Sequence, residues 1–255
     1  MDPFTDEDLR HDGFLGGRLV IAQPRQGYRA GIDPVLLAAS IPARPGQGVL
    51  DLGCGSGVAA LCLAARVPGL VLAGLELQPG YADLARRNAA GNDIGLEVFT
   101  GDVAEMPQAL RQRQFDHVMA NPPFFDRDAG TSARDSGREQ GLGETLPLAE
   151  WVAAAARRAA PKGLVTMIQR ADRVPDLIGA MAAHLGSLEL LPLTPRSDRA
   201  AQLVLMRGRK GGRAAFRLHA GWCLHDGMAH ERDGADYTPA TTAVLRDAAA
   251  LPFSA

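Results

Sequence analysis

The tetrapeptide Asn121-Pro122-Pro123-Phe124 is the part of this chain best suited to chemistry. It follows a short apolar run, Phe115 to Met119, and is followed by a second aromatic, Phe125. Two successive prolines forbid both a helix interior and a central strand, so the segment is a rigid turn at a strand end. The plain reading is a turn that happens to contain Phe. The chemical reading is a pocket for a planar group bearing an NH2, with an amide to accept and a ring to stack.

A second candidate precedes it, Asp51-Leu-Gly53-Cys-Gly55-Ser-Gly57. Glycines at this spacing permit a tight turn and bring backbone N–H groups close to a ligand. The pattern is D-x-G-x-G-x-G, without the Lys-Ser/Thr of a phosphate-cradling loop. On its own it could also be a plain strand–helix turn. Two carboxylates give it context. Glu76 closes the next apolar run, where it can accept from both ribose hydroxyls of a nucleoside. Asp102, after Gly101, closes the third, where it can accept from an adenine amine. Each alone is better explained by a cap or a solvated loop end. In an open parallel sheet, however, ligands bind outside the carboxyl ends of the strands, and Asp51, Glu76, Asp102 and Asn121 would share that edge.

The elements that must position them follow from patterning. Residues 14–31 read as two short strands around Gln23-Pro24, a hairpin. Asp33 is an N-cap and Pro34 the first residue of a helix. Strands are expected at 48–53, 70–77, 96–102, 115–121, 163–169, 188–194 and 201–207. Helices are expected at about 58–67, 81–90, 148–160 and 174–185. Apolar strands alternating with helices predict an α/β fold: a mostly parallel seven-stranded sheet, helices on both faces, and a short N-terminal hairpin. Residues 1–45 are read as the N-terminal extension, hairpin and first helix, and residues 46–255 as the main domain. The polar stretch 125–145 is too long for an ordinary connection.

Composition bounds the rest. The 255 residues are 46% hydrophobic, enough to bury a sizeable core. A net charge of −2 provides no global field for nucleic acid, so such binding must rest on a local patch. Arg207, Arg209, Lys210 and Arg213 form one such cluster. Arg127, Arg134 and Arg138, interleaved with acids, are either a second or a solvated surface. Three cysteines without C-x-x-C pairing suggest neither zinc nor disulfides, and Cys54 reads as a packing residue. His225-Asp226 and His230-Glu231 fit no metal-binding spacing. The N-terminus lacks the apolar core of a signal peptide, and no apolar run is long enough to span a membrane. A cytoplasmic protein is expected, with a monomer favoured.

DLGCGSG, LELQ, TGDV and NPPF, in this order, resemble the class I S-adenosylmethionine-dependent methyltransferases that act on exocyclic amines. YRAGIDPVLLAAS (28–40) and WCLHDGMAHERDGADYT (222–238) are similar to segments of the bacterial valine-tRNA adenine-N6 methyltransferases. The resemblance covers the chain from about residue 14. It implies a Rossmann-like fold, S-adenosylmethionine as cofactor, tRNA as partner, and methylation of the adenine 3′ of the anticodon, with no metal. It also implies that Asp51, Gly53, Gly55, Gly57, Glu76, Asp102 and Asn121 hold the cofactor, with Arg29 and Asp33 at its methionine end. Asp33 remains equally a helix cap, and Tyr28 is read as core rather than lid. An aryl amine is a weak nucleophile. The Asn121 side-chain carbonyl and the Pro122 backbone carbonyl would accept its two hydrogens, the prolines would preset that geometry, and Phe124 would stack on the base. The basic cluster would contact phosphates beside the pocket.

Rival readings are a ribosomal-RNA guanine-N2 methyltransferase, which shares NPPF, and a release-factor glutamine N5-methyltransferase. The latter usually carries Tyr after the prolines and a separate helical N-terminal domain. A small-molecule methyltransferase would not need the basic cluster. Asn121 and the glycine loop argue against a non-catalytic cofactor-binding protein.

Overall fold

The computed structural model describes residues 4–123, 146–227 and 236–253. An antiparallel hairpin, β1 (Leu9–Phe14) and β2 (Leu19–Pro24), precedes α1 (Asp33–Ser40). Alternation follows: β3 (Gly48–Leu52), α2 (Val58–Arg66), β4 (Val71–Glu76), α3 (Pro79–Gly91), β5 (Leu96–Thr100), a one-turn helix α4 (Gln108–Arg111) and β6 (Phe115–Ala120). After the undescribed stretch come α5 (Leu148–Arg158), β7 (Ala159–Arg170), α6 (Val174–Ala182), β8 (Gly186–Thr194) and β9 (Leu203–Arg209). Two-residue strands β10 (Arg217–Leu218) and β11 (Trp222–Cys223) and a last helix α7 (Pro239–Asp247) complete the described chain.

The main sheet runs β10-β8-β9-β7-β6-β3-β4-β5, with β11 also on β8. All pairings are parallel except those of β9 with β7 and with β8. The seven expected strands are all present. Among the described residues the sheet nevertheless has nine, because β10 and β11 add short segments to the outer edge of β8. Residues of β3 and β6 are almost wholly buried, as expected for central strands covered on both faces. One core cluster packs α1 and α2 against Val49, Met119 and Leu205, so the N-terminal helix shares the sheet's core. A second joins Leu50, Leu75 and Val118 on the other face to α5 and α6.

Three expectations are corrected. The hairpin turns at Leu15-Gly16-Gly17, not at Gln23-Pro24: all three residues have positive φ, and Pro24 ends β2. Asp33 is not an N-cap. Ile32 holds that position, Asp33 is the first helical residue, and no side chain caps the helix. The helix expected to reach residue 160 stops at Arg158, because Ala159 already pairs with Phe115. The register then shifts between that pair and His117–Leu164, over a segment where Lys162 has positive φ.

Helix α3 fastens the hairpin to the sheet. The Asn92 amide donates to the Val20 carbonyl and accepts from its N–H, at 2.9 and 3.0 Å. One turn earlier, buried Asn88 does the same at Ala22, at 3.0 and 2.8 Å, and also donates to the Ser56 carbonyl at 2.9 Å. Two side-chain amides thus stand in for a neighbouring strand along β2, and Asn88 adds the glycine loop to the same bond set.

Candidate active site

The chain goes outward from β3 to β4 and β5, then returns to β6 on β3's other side. The carboxyl ends of β3 and β6 therefore form the switch point of the sheet, where a crevice opens. A cleft of about 450 Å³ lies there, within the range of small-molecule sites.

Gly53, Gly55 and Gly57 have φ of +70°, +54° and +87°, which an L side chain adopts only with strain. The N–H groups of Gly53 and Cys54 donate to the Leu75 carbonyl at 2.8 and 3.0 Å, folding the loop over the end of β4. A Cβ on Gly53 would lie 2.7 Å from the Trp151 ring, so α5 closes against the loop only because position 53 is glycine. Cys54 packs on Gly74, and burial holds its thiol well above the ordinary range, as a packing role requires.

The carboxylates lie where the sequence reading puts them. Glu76 accepts from the Gly55 N–H at 3.0 Å and the Gln78 N–H at 2.8 Å. Burial raises its carboxyl, and these bonds partly offset the rise. Asp51 is buried, with Oδ2 unpartnered among the described residues. Burial lifts its carboxyl to about 7; a backbone bond from Ala60 pulls the other way and the Glu76 charge adds to the rise. Asp33 lines the cleft, and burial raises it too. Asp102 is exposed at the rim and accepts from the Ala104 N–H at 2.8 Å. Asn121, Pro122 and Pro123 line the same cleft. Asn121 Oδ1 is a buried acceptor without a partner among the described residues, which is costly unless a ligand donor completes it.

Arg29 also lines the cleft, and its guanidinium reaches Asp12 at 3.4 Å. Tyr28 is not core: it is 40% exposed on the cleft wall, its carbonyl accepting from the Tyr81 hydroxyl at 3.1 Å. Gln23, Asn88 and Trp151 escaped the sequence reading. Trp151 carried one signal, an aromatic on the pocket side of a helix; Gln23 and Asn88 carried none.

The basic cluster is not brought to the cleft. Strand β9 runs against β7, so Arg209 pairs with Leu164 near the start of β7 and the chain continues past the amino edge. Arg207 bonds Glu189 at 3.0 Å and lies over the Phe253 ring. Arg209 and Lys210 donate to the carbonyls of Lys162 and Ala159, each at 2.8 Å. Arg213 is exposed on that same side. The expected phosphate contacts beside the base pocket are corrected accordingly. His225 bonds Asp236 at 2.9 Å and stacks on Tyr237, and among the described residues no group of three His, Cys, Asp or Glu could hold a metal. Phe124, Phe125, Arg127, Arg134, Arg138, His230 and Glu231 lie outside the described residues.

A glycine loop, two carboxylates on successive strand ends and an N-P-P turn at one switch point define a class I S-adenosylmethionine-dependent methyltransferase. The family model of the methyltransferase small domain matches residues 30–135. The chain is 34% identical to a tRNA1(Val) (adenine(37)-N6)-methyltransferase of Porphyromonas gingivalis, over 65% of its own length and 68% of the relative's. It is 30% identical to the enzyme of that name from Klebsiella pneumoniae, over 94% and 95%. This chain belongs to that family. Among solved structures, a predicted O-methyltransferase from Agrobacterium tumefaciens superposes with a TM-score of 0.68 at 26% identity, covering 86% of this chain and 98% of that one. The fold is also that of a Thermus thermophilus 16S rRNA N2 G1207 methyltransferase in complex with AdoMet and guanosine (TM-score 0.55, 18% identity, 79% and 50% covered). The cofactor is S-adenosylmethionine. The cleft suits it, with open space at Gly55 and a buried Asp51 Oδ2 that has no partner among the described residues.

Proposed function

We propose that this protein methylates the exocyclic N6 amine of an adenine in tRNA, at the position 3′ of the anticodon in valine tRNA. One observation carries this reading above all: the buried Asn121 Oδ1, without a partner among the described residues, at the head of a rigid Pro-Pro turn beside the glycine loop. The names borne by the family's members supply the substrate.

The adenine N6 lone pair is delocalised into the ring. Asn121 Oδ1 accepts one N6 hydrogen and the Pro122 carbonyl accepts the other. Two acceptors draw the amine toward a tetrahedral geometry and free the lone pair. Pro122 and Pro123 set that arrangement before the base arrives, so little reorganisation remains at the moment of reaction. Glu76 holds the ribose hydroxyls of the cofactor, Asp102 its adenine amine, and the Asp33–Arg29 wall its methionine end. Bound there, the cofactor supplies an electrophilic methyl group on sulfur. The amine's surplus proton is acidic once nitrogen carries the methyl, so no strong side-chain base is required. Phe124, outside the described residues, is proposed to stack on the target base.

Among the described residues, no helix is long and apolar enough to cross a membrane. The proposed tRNA substrate favours a location in the cytoplasm, and a monomer is the state proposed. The test is transfer of labelled methyl groups to total tRNA, ribosomal RNA and release factor in parallel, with nucleoside analysis of the product. N6-methyladenosine in tRNA is expected. Label in release factor alone, in ribosomal N2-methylguanosine, or on an oxygen would sink the assignment.

A further inference from the structure

We infer that Gln23 is a positioning residue for the cofactor, acting through the segment 25–32 that walls one side of the cleft. Arg29, Ala30, Gly31 and Asp33 all line the cleft, whereas Gln23 does not. The segment is neither helix nor strand. Among the described residues, its backbone is anchored from outside at a few points. Arg25 N–H reaches the Asp8 carbonyl at 2.7 Å. Tyr81 holds the middle: its hydroxyl donates to the Tyr28 carbonyl and would lie 3.1 Å from a Cβ on Gly27. Gln23 holds the end nearest the helix.

Gln23 is 1% exposed and uses both ends of its amide. Oε1 accepts from the Ala30 N–H at 2.8 Å, and Nε2 donates to Asp12 Oδ2 at 2.9 Å. An N–H on one side and a carboxylate on the other permit one amide orientation only. The same Asp12 Oδ2 receives Arg29, and its Oδ1 receives Arg10 at 2.7 Å. The backbone of the wall at Ala30 and its charged side chain at Arg29 are therefore both referred to one carboxylate on β1. Loss of the Gln23 amide leaves the Ala30 N–H without its partner and uncouples the wall from that reference.

The experiment measures S-adenosylhomocysteine affinity by calorimetry, alongside thermal unfolding and steady-state kinetics. Gln23→Leu should raise the Kd about tenfold, the scale of a lost buried hydrogen bond, with kcat at saturation within about twofold of the parent. Gln23→Glu opposes two carboxylates and should weaken binding at least as much. Adding Asp12→Asn to Gln23→Glu exchanges donor and acceptor, leaves one negative charge near Arg29, and should recover most of that loss. Unchanged affinity in Gln23→Leu with a lowered melting temperature would reduce Gln23 to a structural role and overturn the inference. Should Gln23→Leu not fold, the exchanged pair decides: failure of the double variant to recover affinity overturns it.

Discussion

The two edges of the sheet use their polar groups differently, although buried atoms without a partner among the described residues also occur away from the cleft, at His117 Nδ1 and Arg207 Nε. At the carboxyl edge, Asp51 Oδ2 and Asn121 Oδ1 are buried and unpartnered among the described residues, and three glycines hold positive φ. At the amino edge, Arg209 and Lys210 donate to backbone carbonyls, and Arg158 donates to those of Leu110 and Arg113 at 3.2 Å. One edge keeps bonding capacity for a ligand at a cost in stability. The other uses its charges to tie strands and helix ends together. Charge density alone would have selected the wrong edge as the reactive one.

The sharpest way to break this contrast is Asn121→Ala. It should lower turnover about 1,000-fold, as loss of a preorganised polar contact to the reacting group does, while calorimetry finds cofactor affinity nearly unchanged. Near-normal turnover would mean that the unpartnered amide is incidental. A smaller effect concerns Asp51. Its folded pKa lies near 7, above the ordinary 3.8, so its stabilising contribution is complete below the ordinary value and is lost as pH rises through 7. Cofactor-free protein should lose about 0.7 kcal/mol per pH unit around pH 7 from this group. Asp51→Asn should flatten that slope in denaturant titrations. The window to use is pH 6.5 to 8. Buried His117, lowered to about 4, contributes the opposite sign in the lower part of that window and more strongly below it, as the unfolded chain takes up its proton, but it does so equally in the parent and in Asp51→Asn. The smallest expected effect is at the amino edge: Arg209→Ala with Arg213→Ala should change kcat/KM for tRNA by less than about twofold, even at low salt. A large loss there would put RNA on both edges and dissolve the comparison.

Much of the site was legible because its signals are local. A glycine loop, a carboxylate at a strand end and an N-P-P turn each declare themselves within a few residues, and the strand–helix alternation supplies the edge they share. What stayed hidden depended on direction or distance. Nothing in LVLMRGRK reveals that β9 runs antiparallel, yet that reversal alone carries Arg209 away from the cleft. Gln-Pro looked like the hairpin turn because proline is a strong punctuator, whereas the turn belongs to Leu15-Gly16-Gly17. Gln23 and Asn88 were invisible because their partners are backbone atoms and a carboxylate brought in from elsewhere in the chain. Helix α7 did have a local signal that went unread: Thr238 before Pro239, its hydroxyl accepting from the Thr241 N–H.

The Asn88 amide has a consequence for motion. It bonds β2 and the glycine loop at once, so a turn of that one side chain about its own bonds would release the Ala22 and Ser56 carbonyls together. The two walls of the cofactor cleft, far apart in sequence, are thereby fastened to one buried side chain. Loss of the Asn88 amide would loosen both walls, and ligand bound between them stabilises both together.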